Sequence, residues 1–124
     1  MGSGHHILVI DDSSTVRAVL TALLQRAGYS VAVAANGREA LDHLRQAQPP
    51  RVILLDLMMP VMDGRQFRRE QQHDPGLASI PVVVLSGESD LPQVARSLGV
   101  AGYFAKPVES AQLLAALRTL GGDR

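Results

Sequence analysis

Residues 51–64 read RVILLDLMMPVMDG, and this stretch decides the fold. Its apolar run, residues 52–55, is the most hydrophobic of the chain and ends at Asp56, before a loop marked by Pro60 and Gly64. Strands of a parallel sheet carry continuous apolar runs because helices cover both of their faces. The stretch therefore predicts a central strand of a parallel sheet, with a carboxylate at its carboxyl end.

Four further short apolar runs predict the remaining strands. They comprise residues 7–10, 31–34, 82–85 and 101–104. Segments with apolar residues at helical spacing follow the strands and predict five helices. Because strand–helix–strand crossovers are right-handed almost without exception, we expect an α/β fold with a doubly wound, five-stranded parallel sheet and helices on both faces.

Capping residues and helix breakers predict where the helices begin and end. The predicted helices run from a Ser13 cap to Gly28, from an Asn36 cap to a stop before Pro49, over about 65–73, from an Asp90 cap to Gly99, and over 111–120. The apolar residues at helical spacing include Val16, Val19, Leu20, Leu23 and Leu24 in the first helix, Leu91, Val94, Ala95 and Leu98 in the fourth, and Leu113, Leu114, Leu117 and Leu120 in the last. We expect these residues to face the core.

The composition of the 124-residue chain limits its function classes. Hydrophobic residues make up 46% and charged residues 19%, as in a packed soluble domain. The formal net charge is zero, so no global field attracts the chain to nucleic acid or to an anionic membrane. The absence of cysteine excludes a disulfide framework and a thiolate metal site, and it fits the expected cytoplasmic location. No apolar run approaches the roughly 20 residues that cross a bilayer.

We expect a single domain over residues 6–120. Residues 1–5, which begin Met-Gly-Ser-Gly, are predicted to be a leader outside the fold, and residues 121–124 a short tail. No signal peptide is predicted before the first strand.

Three carboxylates follow predicted strands. Asp11 and Asp12 come after the first strand and Asp56 after the third, so all three are expected at the same edge of a parallel sheet. At about 5 Å, each pair repels by roughly 3 kcal/mol at an effective dielectric near 20, so a cation is needed to keep all three ionised. Mg²⁺ prefers such oxygen ligands. The alternative is that Asp11 and Asp12 only begin a capped helix, where acids favour the helix dipole.

Ser86 and Lys106 follow the fourth and fifth strands and are expected at the same edge. Gly87 leaves space beside the Ser86 hydroxyl, which could donate to a bound oxyanion; the alternative is an ordinary turn or cap residue. Lys106 is the only lysine among twelve basic residues, and its compact charge suits a phosphate; the alternative is a solvated surface lysine. Spacing alone leaves open whether the Lys106–Pro107 bond is cis, since about 5–6% of such bonds are.

The motifs together resemble those of a known family. Asp11-Asp12, DLMMPVMDG at 56–64, Ser86-Gly87 and YFAKP at 103–107 are similar, in this order, to the receiver domain of two-component response regulators. The resemblance covers residues 6–120. It implies a flavodoxin-like fold with strand order 2-1-3-4-5.

The resemblance also implies roles for the acidic residues. Asp56 would accept a phosphoryl group from a phosphohistidine on a sensor histidine kinase or a histidine phosphotransfer protein. Asp12, Asp56 and the backbone carbonyl of Met58 would hold Mg²⁺, and Asp11 would act through a metal-bound water. The domain would catalyse only its own phosphorylation and slow autodephosphorylation, and it would not be an enzyme acting on external substrates.

The remaining roles concern switching. Lys106 would pair with one phosphoryl oxygen, Ser86 would move to bond another, and Tyr103 would turn inward afterwards. The family also implies a cis Lys106–Pro107 bond. Ser86 stands where threonine is commoner, and Met58 and Glu88 flank the site at positions that vary in the family.

Two other function classes stay open at the sequence level. A haloacid-dehalogenase-type phosphatase also uses a strand-end aspartate and Mg²⁺, but it places Asp-x-Asp after its first strand. The absence of both glycine-rich phosphate motifs argues against a nucleotide-binding fold.

For the receiver, the expected partners are the phosphodonor and a downstream protein or output domain, with no direct nucleic-acid contact and no membrane insertion. The predicted signalling surface comprises the fourth helix, fifth strand and fifth helix, through which a homodimer could form.

Overall fold

The computed structural model describes residues 6–120. Its centre is a five-stranded sheet in which all neighbouring strands are parallel, in the order β2-β1-β3-β4-β5. The strands are β1 His6–Ile10, β2 Ser30–Ala34, β3 Val52–Asp56, β4 Val82–Ser86 and β5 Gly102–Ala105. The predicted fold class and strand order are confirmed. The predicted leader and tail lie outside the described residues.

One helix follows each strand, as predicted. The helices are α1 Ser14–Arg26, α2 Gly37–Gln46, α3 Gly64–Gln72, α4 Leu91–Leu98 and α5 Ser110–Leu120. Side chains of α2, α3 and α4 pack on one face of the sheet, and those of α1 and α5 pack on the other. No helix within residues 6–120 has the length and hydropathy needed to span a membrane.

The three central strands are buried on both faces, which explains their uninterrupted apolar sequences. All five residues of β3 and all five of β4 are buried, although these strands end in the polar residues Asp56 and Ser86. Side chains alternate along a strand, so each strand contributes to both cores. This burial holds the carboxyl ends of β1, β3 and β4 in fixed register.

The helix caps agree with two of the three cap predictions. The Ser13 side chain accepts from the backbone N–H of Val16, and the Asn36 side chain accepts from Glu39. Asp90 lies at the N-cap of α4, but its side chain makes no capping hydrogen bond. The backbone of Asp90 has φ −103° and ψ 31°, outside the extended conformation of a typical N-cap, so the predicted side-chain cap is wrong.

Val19 does not face the core as predicted. Its side chain is 61% exposed, whereas Leu20 and Leu24 of the same helix are buried. Val19 lies at the edge of the apolar stripe, because each residue advances about 100° around the helix. Leu114 and Leu120 at the other end of the chain are only partly buried against the same core.

A buried arginine ties α3 to the end of α4. Arg68 donates to the carbonyl oxygens of Leu98 and Gly99 at 2.8 Å each, and to Gln71 Oε1 at 2.8 Å. Gln71 in turn donates to the carbonyls of Leu77 and Ile80. Burial lowers the pKa of Arg68, yet these acceptors satisfy the guanidinium. The network fixes the carboxyl end of α4 against α3.

Candidate functional site

Three carboxylates meet at the carboxyl edge of the sheet. Ile10 pairs with Leu55, so Asp11, which follows β1, lies beside Asp56, the last residue of β3. Asp11 and Asp56 are buried, with 2% and 6% of their surface exposed, while Asp12 is exposed. One carboxylate oxygen from each of the three lies within 4.8 Å of the others. The structure therefore brings together the acids that the sequence placed at this edge.

Lys106 neutralises part of this negative charge. Its Nζ donates to Asp11 Oδ2 at 2.8 Å and lies 3.4 Å from Asp56 Oδ1. The Lys106 backbone N–H donates to the Ser86 carbonyl at 3.0 Å, which holds the loop after β5 against β4. The Lys106–Pro107 peptide bond is cis. The ammonium group is thus held between two buried carboxylates.

Asp11 is held by bonds from several parts of the chain. Its Oδ1 accepts from the Ser13 backbone N–H at 2.9 Å, while Oδ2 is occupied by Lys106. The Asp11 carbonyl accepts from the Arg17 guanidinium at 2.7 Å. These contacts orient Asp11 and leave the neighbouring Asp12 carboxylate facing solvent.

The surroundings of Asp56 and Lys106 raise the pKa of both groups. Burial raises the pKa of Asp56, and the Asp11 carboxylate raises it further; Lys106 and a hydrogen bond from the Met58 backbone offset part of this. Burial alone would lower the pKa of Lys106. The hydrogen bond to Asp11 and the charges of Asp56 and Asp11 outweigh that effect and raise it. The ammonium is therefore strongly retained, while the ionised form of Asp56 is disfavoured without another cation.

Ser86 and Tyr103 lie on the same face of the sheet. Val84 pairs with Tyr103 and Ser86 with Ala105, so Ser86 is two residues along β4 from the partner of Tyr103. Ser86 is buried, and its Oγ accepts from the Glu88 backbone N–H at 3.1 Å. Tyr103 is 44% exposed. The structure thus holds Ser86 inside the site and Tyr103 outside the core.

The mouth of the site contains an ion pair that sequence reasoning missed. Arg65 Nη2 lies 2.8 Å from Glu88 Oε1, joining the start of α3 to the loop after β4. Both residues line an open pocket of about 650 Å³, together with Asp56, Met58, Ser86, Gly87 and Lys106. Glu88 was expected only to flank the site, and its pairing with Arg65 joins positions 23 residues apart. An arginine directly after Asp63-Gly64, at a predicted helix start beside the site, was the one available signal.

The acid cluster fits a divalent cation of the hard, oxygen-preferring kind. Three carboxylates within reach of one ion, one of them exposed to solvent, provide charged ligands and leave room for water or a phosphoryl oxygen. Burial raises the pKa of Asp56, and the Asp11 carboxylate raises it further, so a cation beside Lys106 would favour the ionised form of Asp56. Asp11, Asp12 and Asp56 are therefore suited to hold Mg²⁺.

We expect Asp56→Asn to stabilise the metal-free protein. Since the fold raises the pKa of Asp56, its ionisation lowers stability progressively as pH rises from the unfolded to the folded pKa. Asparagine keeps the shape but removes that charge, so the Tm at pH 7 should rise and Mg²⁺ should stabilise the variant less than wild type. Thermal unfolding with EDTA and with Mg²⁺ measures both effects. A lower Tm in EDTA, with an undiminished response to Mg²⁺, would contradict this account of the site.

Comparison with known proteins agrees with this geometry. The family model described as the response regulator receiver domain matches residues 7–118. The two-component response regulator ORR7 of Oryza sativa subsp. japonica is 34% identical over 110 residues, covering 87% of this chain and 52% of that protein. The DNA-binding response regulator MtrA of Mycobacterium tuberculosis is 35% identical over 114 residues, covering 90% and 48%. The chain thus spans about half the length of these curated relatives.

Solved structures show the same architecture. The signal receiver domain of a signal transduction histidine kinase from Syntrophus aciditrophicus matches with a TM-score of 0.86 and 33% identity, covering 95% of this chain and 90% of that one. The chemotaxis protein CheY4 of Vibrio cholerae matches with a TM-score of 0.83 and 33% identity, covering 93% and 97%. The alternative of a haloacid-dehalogenase-type phosphatase is not supported by these matches. This chain belongs to the response regulator receiver domain family, the signalling domain of two-component systems.

Proposed function

We propose that Asp56 accepts a phosphoryl group from a phosphohistidine of a sensor histidine kinase or a histidine phosphotransfer protein. The observation that carries this proposal is the placement of Asp56 at the sheet edge, facing an open pocket, with Lys106 3.4 Å away and two further carboxylates beside it. Asp12, Asp56 and the Met58 carbonyl would hold Mg²⁺, with Asp11 acting through a bound water. When bound, this ion would neutralise charge on the phosphoryl oxygens.

Phosphoryl transfer to Asp56 depends mainly on the positions of the reacting groups. A carboxylate oxygen of Asp56 attacks phosphorus, the bond from phosphorus to the donor imidazole breaks, and its electron pair returns to that ring. Lys106 already lies between Asp56 and Asp11, so it can pair with a phosphoryl oxygen with little movement. The Gly87 backbone carries no Cβ, and a Cβ there would meet nothing within 4 Å, so the entry beside Ser86 is open. Slow hydrolysis of the aspartyl phosphate would reset the domain.

Phosphorylation would switch the surface formed by α4, β5 and α5. The acyl phosphate adds nearly two negative charges, which draw the Ser86 hydroxyl from its bond with Glu88 toward a phosphoryl oxygen. Movement of Ser86 vacates space on the face that it shares with Tyr103, and the half-exposed Tyr103 ring would then turn inward. A downstream protein or a linked output domain would read the change. A homodimer through this surface and a cytoplasmic location stay predictions.

A groove beside the site suits the phosphodonor. It has a volume of about 430 Å³, is mainly apolar, and is lined by Val16 and Val19 of α1 and by Lys106, Pro107 and Val108. Because the groove shares Lys106 with the phosphoryl site, a protein that delivers a phosphohistidine to Asp56 would cover it. We expect the donor to pack apolar helix side chains against Val19.

Val19→Asp should impair this docking without harming the site. Val19 is already 61% exposed, so stability should change little, but an aspartate would have to be buried against the donor. Transfer from a purified histidine phosphotransfer protein that phosphorylates wild type should fall about tenfold or more, since burying a valine contributes roughly 1.5–3 kcal/mol. Radiolabel transfer measures this, and labelling by acetyl phosphate is the internal control. Equal loss with both donors would contradict a docking role.

Intact-mass measurement with acetyl phosphate tests the proposed function. With Mg²⁺ the wild type should gain one phosphoryl group, and with EDTA it should gain none. The label should then disappear as the domain hydrolyses its own aspartyl phosphate. Absence of any gain with Mg²⁺ would refute the proposal, as would sustained turnover of an external phosphate ester in the manner of a hydrolase.

A further inference from the structure

The Arg65–Glu88 ion pair lies at the open pocket that contains Asp56, which is called the phosphoryl pocket below. Arg65 is the second residue of α3, and Glu88 lies in the loop between β4 and α4. Their 2.8 Å contact joins these two segments, and both side chains line the pocket that contains Asp56. The pair raises the pKa of Arg65, with smaller contributions from Asp63 and Asp90. Arg65 is therefore a retained cation at the pocket mouth.

Glu88 is incompletely satisfied in this arrangement. Its Oε1 bonds to Arg65, but its buried Oε2 has no hydrogen-bond partner among the residues that the structure describes. Its backbone N–H donates to Ser86 Oγ, the hydroxyl expected to leave for a phosphoryl oxygen. Glu88 thus depends on two partners, Arg65 and Ser86, that lie at the pocket where new negative charge would appear.

We propose that Arg65 is a second phosphoryl-binding cation, which exchanges Glu88 for an oxygen of the phosphoryl group on Asp56. The inference rests on the proposed function. A phosphoryl group brings nearly two charges, against one on Glu88, and its oxygens match the planar guanidinium fork. When the Ser86 hydroxyl leaves the Glu88 backbone N–H, the loop between β4 and α4 is freed. Repulsion from the phosphoryl group then moves the Glu88 carboxylate away. Glu88 is in this view a built-in competitor for Arg65.

The exchange predicts opposite effects for the two partners. Arg65→Gln removes the incoming cation and leaves the Glu88 charge uncompensated, so the affinity for beryllofluoride in the presence of Mg²⁺ should fall about three- to tenfold. Glu88→Gln removes the competitor and frees Arg65, so the same affinity should rise about three- to tenfold. A simple structural latch between α3 and the β4–α4 loop would move both variants in the same direction.

Titration of the 124-residue wild type, Arg65→Gln and Glu88→Gln tests the inference, with thermal unfolding to establish that each variant is folded. The matched control is Arg45→Gln, which breaks the exposed Arg45–Asp74 pair at 3.6 Å and should leave affinity unchanged. A second readout is the side-chain NMR signal of Arg65 Nε–Hε, which should shift on addition of beryllofluoride and Mg²⁺ to wild type and to Glu88→Gln.

The possible results distinguish the Arg65–Glu88 exchange from the phosphorylation of Asp56 on which it rests. Opposite changes in affinity with a shifted Arg65 signal support the exchange. Changes of the same sign, no change in either variant, or an unshifted signal overturn it while leaving Asp56 as the acceptor. If wild type binds no beryllofluoride at all, both the exchange and the proposed function are refuted.

Discussion

A Lys106→Met variant is expected to lose Mg²⁺-dependent phosphorylation almost completely and to unfold more readily than wild type. Lys106 Nζ is the cation shared by Asp11 and Asp56, at 2.8 Å and 3.4 Å. Methionine retains much of the apolar stem but leaves these buried carboxylates facing each other. Without the ammonium group, nothing fixed in this position can balance a phosphoryl oxygen, so the rate of labelling by acetyl phosphate should fall at least a hundredfold, or about 2.7 kcal/mol.

Lys106→Met should also lower the free energy of unfolding. Breaking a fully buried pair lowers the free energy of unfolding by roughly 3–5 kcal/mol, and the effect here should be smaller, because the Lys106 side chain keeps 27% of its exposure. Adding Asp11→Asn to Lys106→Met should restore much of the stability, since it removes one of the unpaired charges, without restoring phosphorylation. Urea unfolding and intact-mass kinetics measure the two properties separately. Near-wild-type labelling of Lys106→Met would remove Lys106 from the mechanism.

Gly64→Ala is expected to cause the largest loss of stability among the small substitutions near the site. A Cβ at Gly64 would lie 2.5 Å from the Asp56 carbonyl oxygen and 2.8 Å from Leu57 Cα, both backbone atoms. The Gly64 N–H also donates to the Leu57 carbonyl at 3.0 Å, so the start of α3 cannot move away freely. We expect a loss of about 3 kcal/mol, or a decrease in Tm of roughly 10 °C.

The backbone shift caused by Gly64→Ala should also disturb the phosphorylation site, because the backbone that must move carries Asp56. Phosphorylation of Gly64→Ala should therefore slow even at temperatures where the variant is folded. Gly87→Ala is the matched control: a Cβ there meets nothing within 4 Å, so its Tm should stay near that of wild type. Thermal unfolding compares the two variants, and labelling by acetyl phosphate compares Gly64→Ala with wild type. If Gly64→Ala and Gly87→Ala unfolded at the same temperature, the proposed close approach of α3 to β3 would be wrong.

Much of the fold could be predicted because its signals are local. The uninterrupted apolar run of β3 and its terminal Asp56 predict a buried central strand and an acid at its end, and the parallel sheet then brings Asp11 to the same edge. Lys106 could be predicted at that edge for the same reason. Its contact with Asp11, 95 residues away, follows from the order of the strands rather than from any spacing along the chain.

The features that sequence reasoning missed depend on distances between side chains. Arg65 lies at the start of α3 and Glu88 in the loop between β4 and α4, and no periodicity links them. Val19 satisfies helical spacing but lies at the edge of its stripe, where it faces a groove instead of the core. Asp90 occupies a cap position whose backbone geometry does not allow its carboxylate to cap the helix. Each outcome follows from tertiary geometry that local patterns do not contain.

The central claim is that Asp56 itself carries the phosphoryl group. Wild type and Asp56→Asn should be incubated with acetyl phosphate and Mg²⁺, reduced with borohydride, which converts an aspartyl phosphate to homoserine, and analysed by peptide mass mapping. We expect homoserine at position 56 of wild type and none anywhere in Asp56→Asn. Homoserine at Asp11 or Asp12 instead, or equal phosphoryl gain by the variant, would contradict it.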